Sequence, residues 1–254
     1  TGRTRQSCEM ARWGACQCSG LGLLDGMHGV EPDSSLESLA GPTSDNRRQL
    51  SILGVHRRRG QDKKHAMSER TTSASWASGI VKALELEGLD CQAMFRQLGL
   101  DFAALDDPDA RFAQDSMTRL WQLAVELSGN EAIGLNMARV VRPASFHVVG
   151  YALMSSRTLA EGFERLVRYQ RIIAESSDLS FTLGAEGYSL ILTVHGDHLP
   201  PTRHSAEASL ACALALCKWL SGRPVQPRRV LVQGPQPKNV EPYKVAFHSP
   251  LVFG

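Results

Sequence analysis

No stretch of this chain approaches the ~18 consecutive apolar residues that cross a bilayer. Leu21–Leu24 is too short even for the apolar core of a secretory leader. A membrane-spanning protein is therefore not expected, and the location that follows is cytoplasmic. Charge of one sign is also missing. Over 254 residues, 28 Lys and Arg stand against 26 Asp and Glu, a formal net charge of +2. That excess is too small to mark nucleic acid or an anionic membrane as the partner. Glycine-rich signatures are absent as well: there is no G-x-S-x-G, no G-x-x-x-x-G-K-[ST], and no G-x-G-x-x-G after a strand. The glycine-marked forms of serine hydrolase, nucleotide hydrolase and dinucleotide enzyme are thereby excluded. The expectation is a non-enzyme without a cofactor.

Aromatic residues make up 6% of the chain and are unevenly placed. Trp13 is the single aromatic among residues 1–66, where Gly, Ser, Arg and Pro interrupt any helical or strand period. Such a segment buries too little apolar surface to offset its ordering entropy. Residues 1–66 are accordingly expected to be a disordered extension, and 67–254 the folded domain. Arg57-Arg58-Arg59 and Lys63-Lys64 read as solvated charge runs in that tail. Met67, before Ser68-Glu69-Arg70, has the look of a native start. Cys8, Cys16 and Cys18 lack a second Cys or His pair at zinc spacing, so no metal is expected. Cys212 and Cys217 lie five apart in an apolar helical pattern, which reads as small core residues in a reducing compartment.

From Ser73 the apolar residues recur at helical spacing. Ile80, Ala83 and Leu84 mark a first helix running to Gly88. Asp90 to Leu98 gives a second helix, stopped by Gly99. Asp115 is placed to cap a third, with Met117, Leu120, Trp121, Ala124 and Leu127 on its apolar face and Gly129 at its end. Asn130 is placed to cap a fourth, Glu131 to Val141, closed by Pro143. Thr158 and Glu161 form a T-x-x-E capping box, opening a helix with Phe163, Leu166, Val167, Gln170 and Ile173 on one face. The period then changes to two. Leu179, Phe181, Leu183 and Tyr188, Leu190, Leu192, Val194 alternate around Gly184–Gly187, which predicts a hairpin. A long helix follows from Thr202 or Ser205 to about Leu220, ended by Gly222. Val230 and Val232 begin a strand, and Val245, Phe247, Val252 and Phe253 suggest more strand. The fold class is α+β: a helical first half, then a ββαβ second half.

Candidate site residues are few. His204 and Glu207 lie three apart at the start of the long helix and share a face. Arg168 and Tyr169 end the capped helix, and Arg168 offers a fork suited to a carboxylate. His147 and Tyr151 lie four apart in the apolar segment FHVVGYAL. Helix-end charges and half-buried His–Tyr pairs are also ordinary structural features. His195 and His198 close a strand at odd spacing and point to opposite faces, which does not make a metal site.

The stretch from Phe146 to Tyr169 combines an apolar segment, a Ser-Ser-Arg turn and a capped amphipathic helix ending in Arg-Tyr. That order, the hairpin, Glu207 to Gly222 with its S-G-R-P-V turn, and the ending Tyr243, Phe247, Pro250, Phe253 resemble the N-terminal, arabinose-binding-like sensor domain of AraC-type transcriptional regulators. The resemblance covers about Met67 to Gly254. It implies an effector-binding, dimerising regulatory domain, with a small-molecule effector and a second copy as partners. It implies DNA contact only through a C-terminal helix-turn-helix region, of which this sequence shows no pattern. The family name does not make the ligand a sugar. Arg168, Tyr169, His147, Tyr151 and His204 are the groups then expected around an effector held between helices and sheet. The competing class is a small enzyme or small-molecule carrier on an α+β scaffold.

Overall fold

A computed structural model describes residues 50–56 and 69–254. Its order is β1 (Leu50–His56), β2 (Thr71–Ser73), α1 (Ala74–Glu85), α2 (Cys91–Gln97), β3 (Arg111–Ala113), α3 (Gln114–Ser128), α4 (Met137–Val140), α5 (His147–Met154), α6 (Leu159–Ile173), β4 (Ser177–Gly184), β5 (Gly187–Val194), α7 (Arg203–Ser221), β6 (Arg229–Val232), α8 (Glu241–Phe247) and β7 (Leu251–Phe253). Short 3-10 turns cover Ala103–Asp106, Ile133–Asn136 and Pro143–Phe146. The α+β expectation holds: helices fill the first half, and the second contributes most of a five-stranded sheet of order β4-β5-β1-β6-β7.

The middle of that sheet is a correction. The segment LSILGVH lies inside the extension expected to be unstructured. Yet it forms β1, parallel to β5 from Leu50↔Tyr188 to His56↔Val194 and parallel to β6 from Ser51↔Arg229 to Gly54↔Val232. Both edges of β1 pair with strands more than 130 residues downstream, so its partners are invisible to a local reading of the sequence. The rest of the extension lies outside the described residues, with Trp13, Arg57–Arg59, Lys63, Lys64, Met67 and the three early cysteines.

Helix ends follow their capping chemistry. The Ser73 hydroxyl accepts from Trp76 N and Asp90 Oδ1 accepts from Ala93 N. Gly129 and Gly222 take left-handed C-caps at φ 67° and 70°, a conformation open to glycine at no steric cost. Thr158 accepts from Glu161 N as expected, but the Glu161 carboxylate reaches back to Arg157 N instead of Thr158 N.

Three local readings are corrected. Asp115 does not cap α3, whose N-cap is Ala113; its carboxylate instead accepts the amides of Asp197, His198 and Leu199 across the fold. Glu131 to Val141 is not one helix but a 3-10 turn followed by the single turn α4. A physical reason sits at Gly134, where a Cβ would meet the His204 carbonyl oxygen at 2.6 Å: the backbone is pressed against α7. Val245 and Phe247 belong to helix α8 rather than to strand, with Pro242 in its first turn, where the missing N–H costs nothing. Tyr243 and Phe247, four apart, are the fully buried pair.

Helix α7 joins the halves. Ala208, Cys212 and Leu216 pack into the helical core, with Ile80, Leu84, Phe95, Leu120 and Trp121. Ala206, Leu210, Ala213 and Cys217 pack into the sheet-side core, with Leu190, Leu192, Val230, Tyr243 and Phe247. The first set recurs every four residues and the second at spacings of four, three and four, on different sides of one helix, which is why its apolar residues are not confined to a single stripe. Burial pushes the Cys217 thiol up to about 12 and raises Cys212 in the same direction; both behave as small apolar core residues. No described helix is long and apolar enough to cross a membrane.

Candidate functional site

Three places bring polar chemistry together. The first is a closed cluster at the start of α7. Glu207 is fully buried. Its Oε1 accepts from Arg203 Nε at 2.7 Å and from the Tyr243 hydroxyl at 2.8 Å, and its Oε2 lies 3.3 Å from His204 Nδ1. Arg203 also donates to the Tyr243 oxygen at 3.0 Å and to the Pro235 carbonyl at 3.2 Å. Burial alone would raise the Glu207 carboxyl. The His204 hydrogen bond and the charge and hydrogen bond of Arg203 outweigh it and hold the group below the ordinary carboxylate value. Burial, then the Glu207 charge, pushes the Tyr243 hydroxyl up. The shared face expected for His204 and Glu207 is therefore real, and the group it forms bonds to protein on every side.

The second place is the interior between helices and sheet. Trp76, Gln114, Met117, Trp121, Ser176 and Ser209 are among the residues around a cavity of only about 20 Å³. That is room for a single water molecule. His204 comes near it, its ring 6.4 Å from that of Trp121.

The third is an open cleft of about 330 Å³ on the helical half, within the size range of small-molecule sites. Its floor is apolar: Trp76, Leu105, Met137, Val140 and Phe146. The Trp76 and Phe146 rings stack at 6.0 Å. Gly79 brings α1 close to Met137, whose Cε would stand 3.2 Å from an added Cβ. Lys82 from α1 and Asp106 from the first 3-10 turn supply opposite charges on the lining, with His147, Ser75 and Ser145 as further polar groups. Neither Lys82 nor Asp106 forms an ion pair with another described residue.

Of the five residues singled out in the sequence, only His147 lines the cleft. Its backbone is unusual, at φ 46° and ψ −122°, a region that non-glycine residues rarely adopt. Tyr151, Arg168 and Tyr169 are exposed on the α5–α6 hairpin and line neither cavity. His204 is buried in the closed cluster. The cleft residues Lys82, Asp106 and Trp76 were missed. Lys82 is an ordinary last-turn cation by sequence, and Asp106 lies in an unpatterned loop. Only the pairing of distant elements brings them together. His195 Nε2 meets Asp178 at 2.7 Å, and no group of three or more potential metal-ligating side chains gathers among the described residues.

Residues 88–254 match the family model described as the arabinose-binding domain of AraC transcription regulator, N-terminal. The chain is also 24% identical over 174 residues to a protein of Pseudomonas aeruginosa named ornithine utilization regulator, covering 68% of this chain and 51% of that one. The chain thus spans about half the length of the curated relative it matches. With well over half of its residues inside the family model, the chain belongs to the arabinose-binding N-terminal domain family of AraC transcription regulators.

Proposed function

We propose that residues 67–254 with β1 form the effector-sensing, dimerising domain of a cytoplasmic transcription regulator, and that the effector binds in the cleft beside Trp76. The observation that carries this reading is the cleft itself: an apolar floor, with one cation and one anion on its lining that form no ion pair with another described residue. Apolar walls with a few convergent polar groups are what small-molecule sites have in common. Lys82 suits a carboxylate and Asp106 an ammonium group, so the best-fitting effector is a small zwitterion of the amino-acid class. The name of the Pseudomonas relative points to the same class. The regulator family favours a non-catalytic role over the small-enzyme alternative. DNA contact is assigned to a helix-turn-helix region of the full regulator.

His147 gives the effector something to act on. A strained backbone costs ~1–3 kcal/mol and persists only where its surroundings hold it. A ligand filling the cleft touches that residue and the stacked Trp76–Phe146 pair, and so biases the start of α5. Arg168, Tyr169 and Tyr151 remain candidates for effector contact only if the ligand reaches the outer face of the hairpin.

The test is calorimetric titration of the chain with basic, acidic and neutral amino acids. Binding of at least one zwitterion is expected, weakened by about tenfold or more in Lys82→Ala, the scale of a lost charged hydrogen bond. Binding that is indifferent to Lys82→Ala and Asp106→Asn but abolished by Arg168→Ala would move the site to the hairpin. Turnover of any titrant would favour the enzyme reading.

A further inference from the structure

The hairpin α5–α6 turns outward a surface that the effector cleft does not use. Its two helices are locked together by Arg165, which donates to the Ala152 carbonyl at 2.9 Å and to the Ser155 hydroxyl at 2.7 Å. Beyond that seam, Val148, Tyr151 and Met154 of α5 and Tyr169 and Ile172 of α6 are exposed. Five of the eleven exposed large apolar side chains among the described residues lie on this one hairpin, a concentration that favours an interaction surface.

The charges along α6 say what fits it. Glu161, Glu164, Arg168 and Arg171 follow one another at spacings of three, four and three, so they form one stripe on the helix. Acids occupy the N-terminal half of the stripe and bases the C-terminal half. Glu164 and Arg168 are exposed and bond to no other described residue, whereas Glu161 is already held by Arg165 at 2.5 Å. The order is its own complement. When a second α6 lies antiparallel, with a two-fold axis passing near Leu166, Glu164 of each copy faces Arg168 of the other and Glu161 faces Arg171. A parallel copy would set like against like. A two-fold interface needs this self-complementarity, because each residue i that meets j must also be met by it.

We infer that the α5–α6 face is the surface on which a second copy of this chain docks, α6 against α6 in antiparallel register, with the exposed apolar residues of the hairpin flanking the charged stripe. This rests on the dimer reading above and gives it a location. It also gives Arg168, Tyr169 and Tyr151 a common role at the interface.

Sedimentation equilibrium of the 254-residue chain and of two charge reversals tests it. The wild type should dimerise. Glu164→Arg and Arg168→Glu should each weaken self-association by about tenfold or more, since each places like charges across the axis twice. Mixing the two variants should restore dimers, because positions 164 and 168 are both basic in the first variant and both acidic in the second, so every facing pair is again of opposite charge. At concentrations dilute enough to keep all three proteins monomeric, thermal melts of both variants should match the wild type, as expected for exposed positions. A wild type that stays monomeric would overturn both the dimer reading and this surface. A dimer indifferent to the reversals, or reversed chains that fail to pair on mixing, would overturn the surface and leave the dimer reading standing.

Discussion

The cluster around Glu207 and the cleft beside Trp76 both place charge against apolar surroundings, and they do so in opposite ways. In the cluster, Glu207 is out of water and meets Arg203, His204 and Tyr243; three partners from two helices close around one carboxylate. In the cleft, Lys82 and Asp106 are exposed on the wall of a 330 Å³ space, each without an ionic partner among the described residues. Buried charge without partners is not tolerated, so a satisfied cluster tells of construction. Unpaired charge beside an apolar hollow is tolerated only because water serves it, and a ligand can take the place of that water. The difference separates charges that hold the domain together from charges that the fold itself leaves uncommitted.

The largest expected effect tests whether the two regions can be taken apart. Removing residues 1–66 deletes β1 and with it the pairing that joins β5 to β6. The sheet-side core and the cluster should fail, so the main thermal transition should fall by more than ~10 °C or lose its cooperativity. The cleft, built from residues between 74 and 147, loses none of its lining; an unchanged melt would show that β1 is dispensable. Glu207→Ala comes next. It strands Arg203 and the Tyr243 hydroxyl, and breaking one side of a buried pair costs about 3–5 kcal/mol. Denaturant unfolding should show that loss, while Lys82→Ala should leave stability within ~0.5 kcal/mol and lower only effector affinity.

Acid titration separates the regions again. The Glu207 carboxyl lies below its ordinary value of 4.5 in the folded state, so its contribution is fully present above that value and is lost as pH falls through the lower, folded value. Stability followed below pH 4.5 should therefore fall more steeply in the wild type than in Glu207→Gln. A parallel decline would mean that other carboxylates carry the acid transition. The smallest effect is at His147. Replacing it by glycine relaxes the positive φ and should raise stability by about 1 kcal/mol, a few degrees in the melt. If the strain serves effector response, the same variant should bind the effector with altered affinity.

Much of the framework was legible in the sequence. Ser73, Asp90, Thr158, Gly129 and Gly222 act through local chemistry, and the helices they bound stand where the spacing put them. The 177–194 hairpin declared itself by its period. What was not legible depended on distant partners. β1 reads as four apolar residues among polar neighbours, and only the slot between β5 and β6 makes it a strand. Asp115 looks like a helix cap until the 197–199 loop brings three amides to it. The site followed the same rule. His204 with Glu207 could be paired by spacing alone, but Lys82 and Asp106 lie 24 positions apart on elements whose packing no local pattern encodes.

The placement of β1 also sets a clock for biosynthesis. This strand leaves the ribosome well before its partners: those on β5 lie roughly 140 residues downstream and those on β6 further still. At ~5–20 residues per second of synthesis, that separation is on the order of ten seconds or more. Throughout that interval the segment LSILGVH has neither neighbour, and unpaired strand edges are what nascent chains aggregate through. The helices between can form as they emerge, while the centre of the sheet must wait for β5 and β6. Expression conditions that slow translation should therefore hurt the yield of this protein more than that of an all-helical domain of equal length, and a chaperone able to hold a short extended segment should be its main need in the cell.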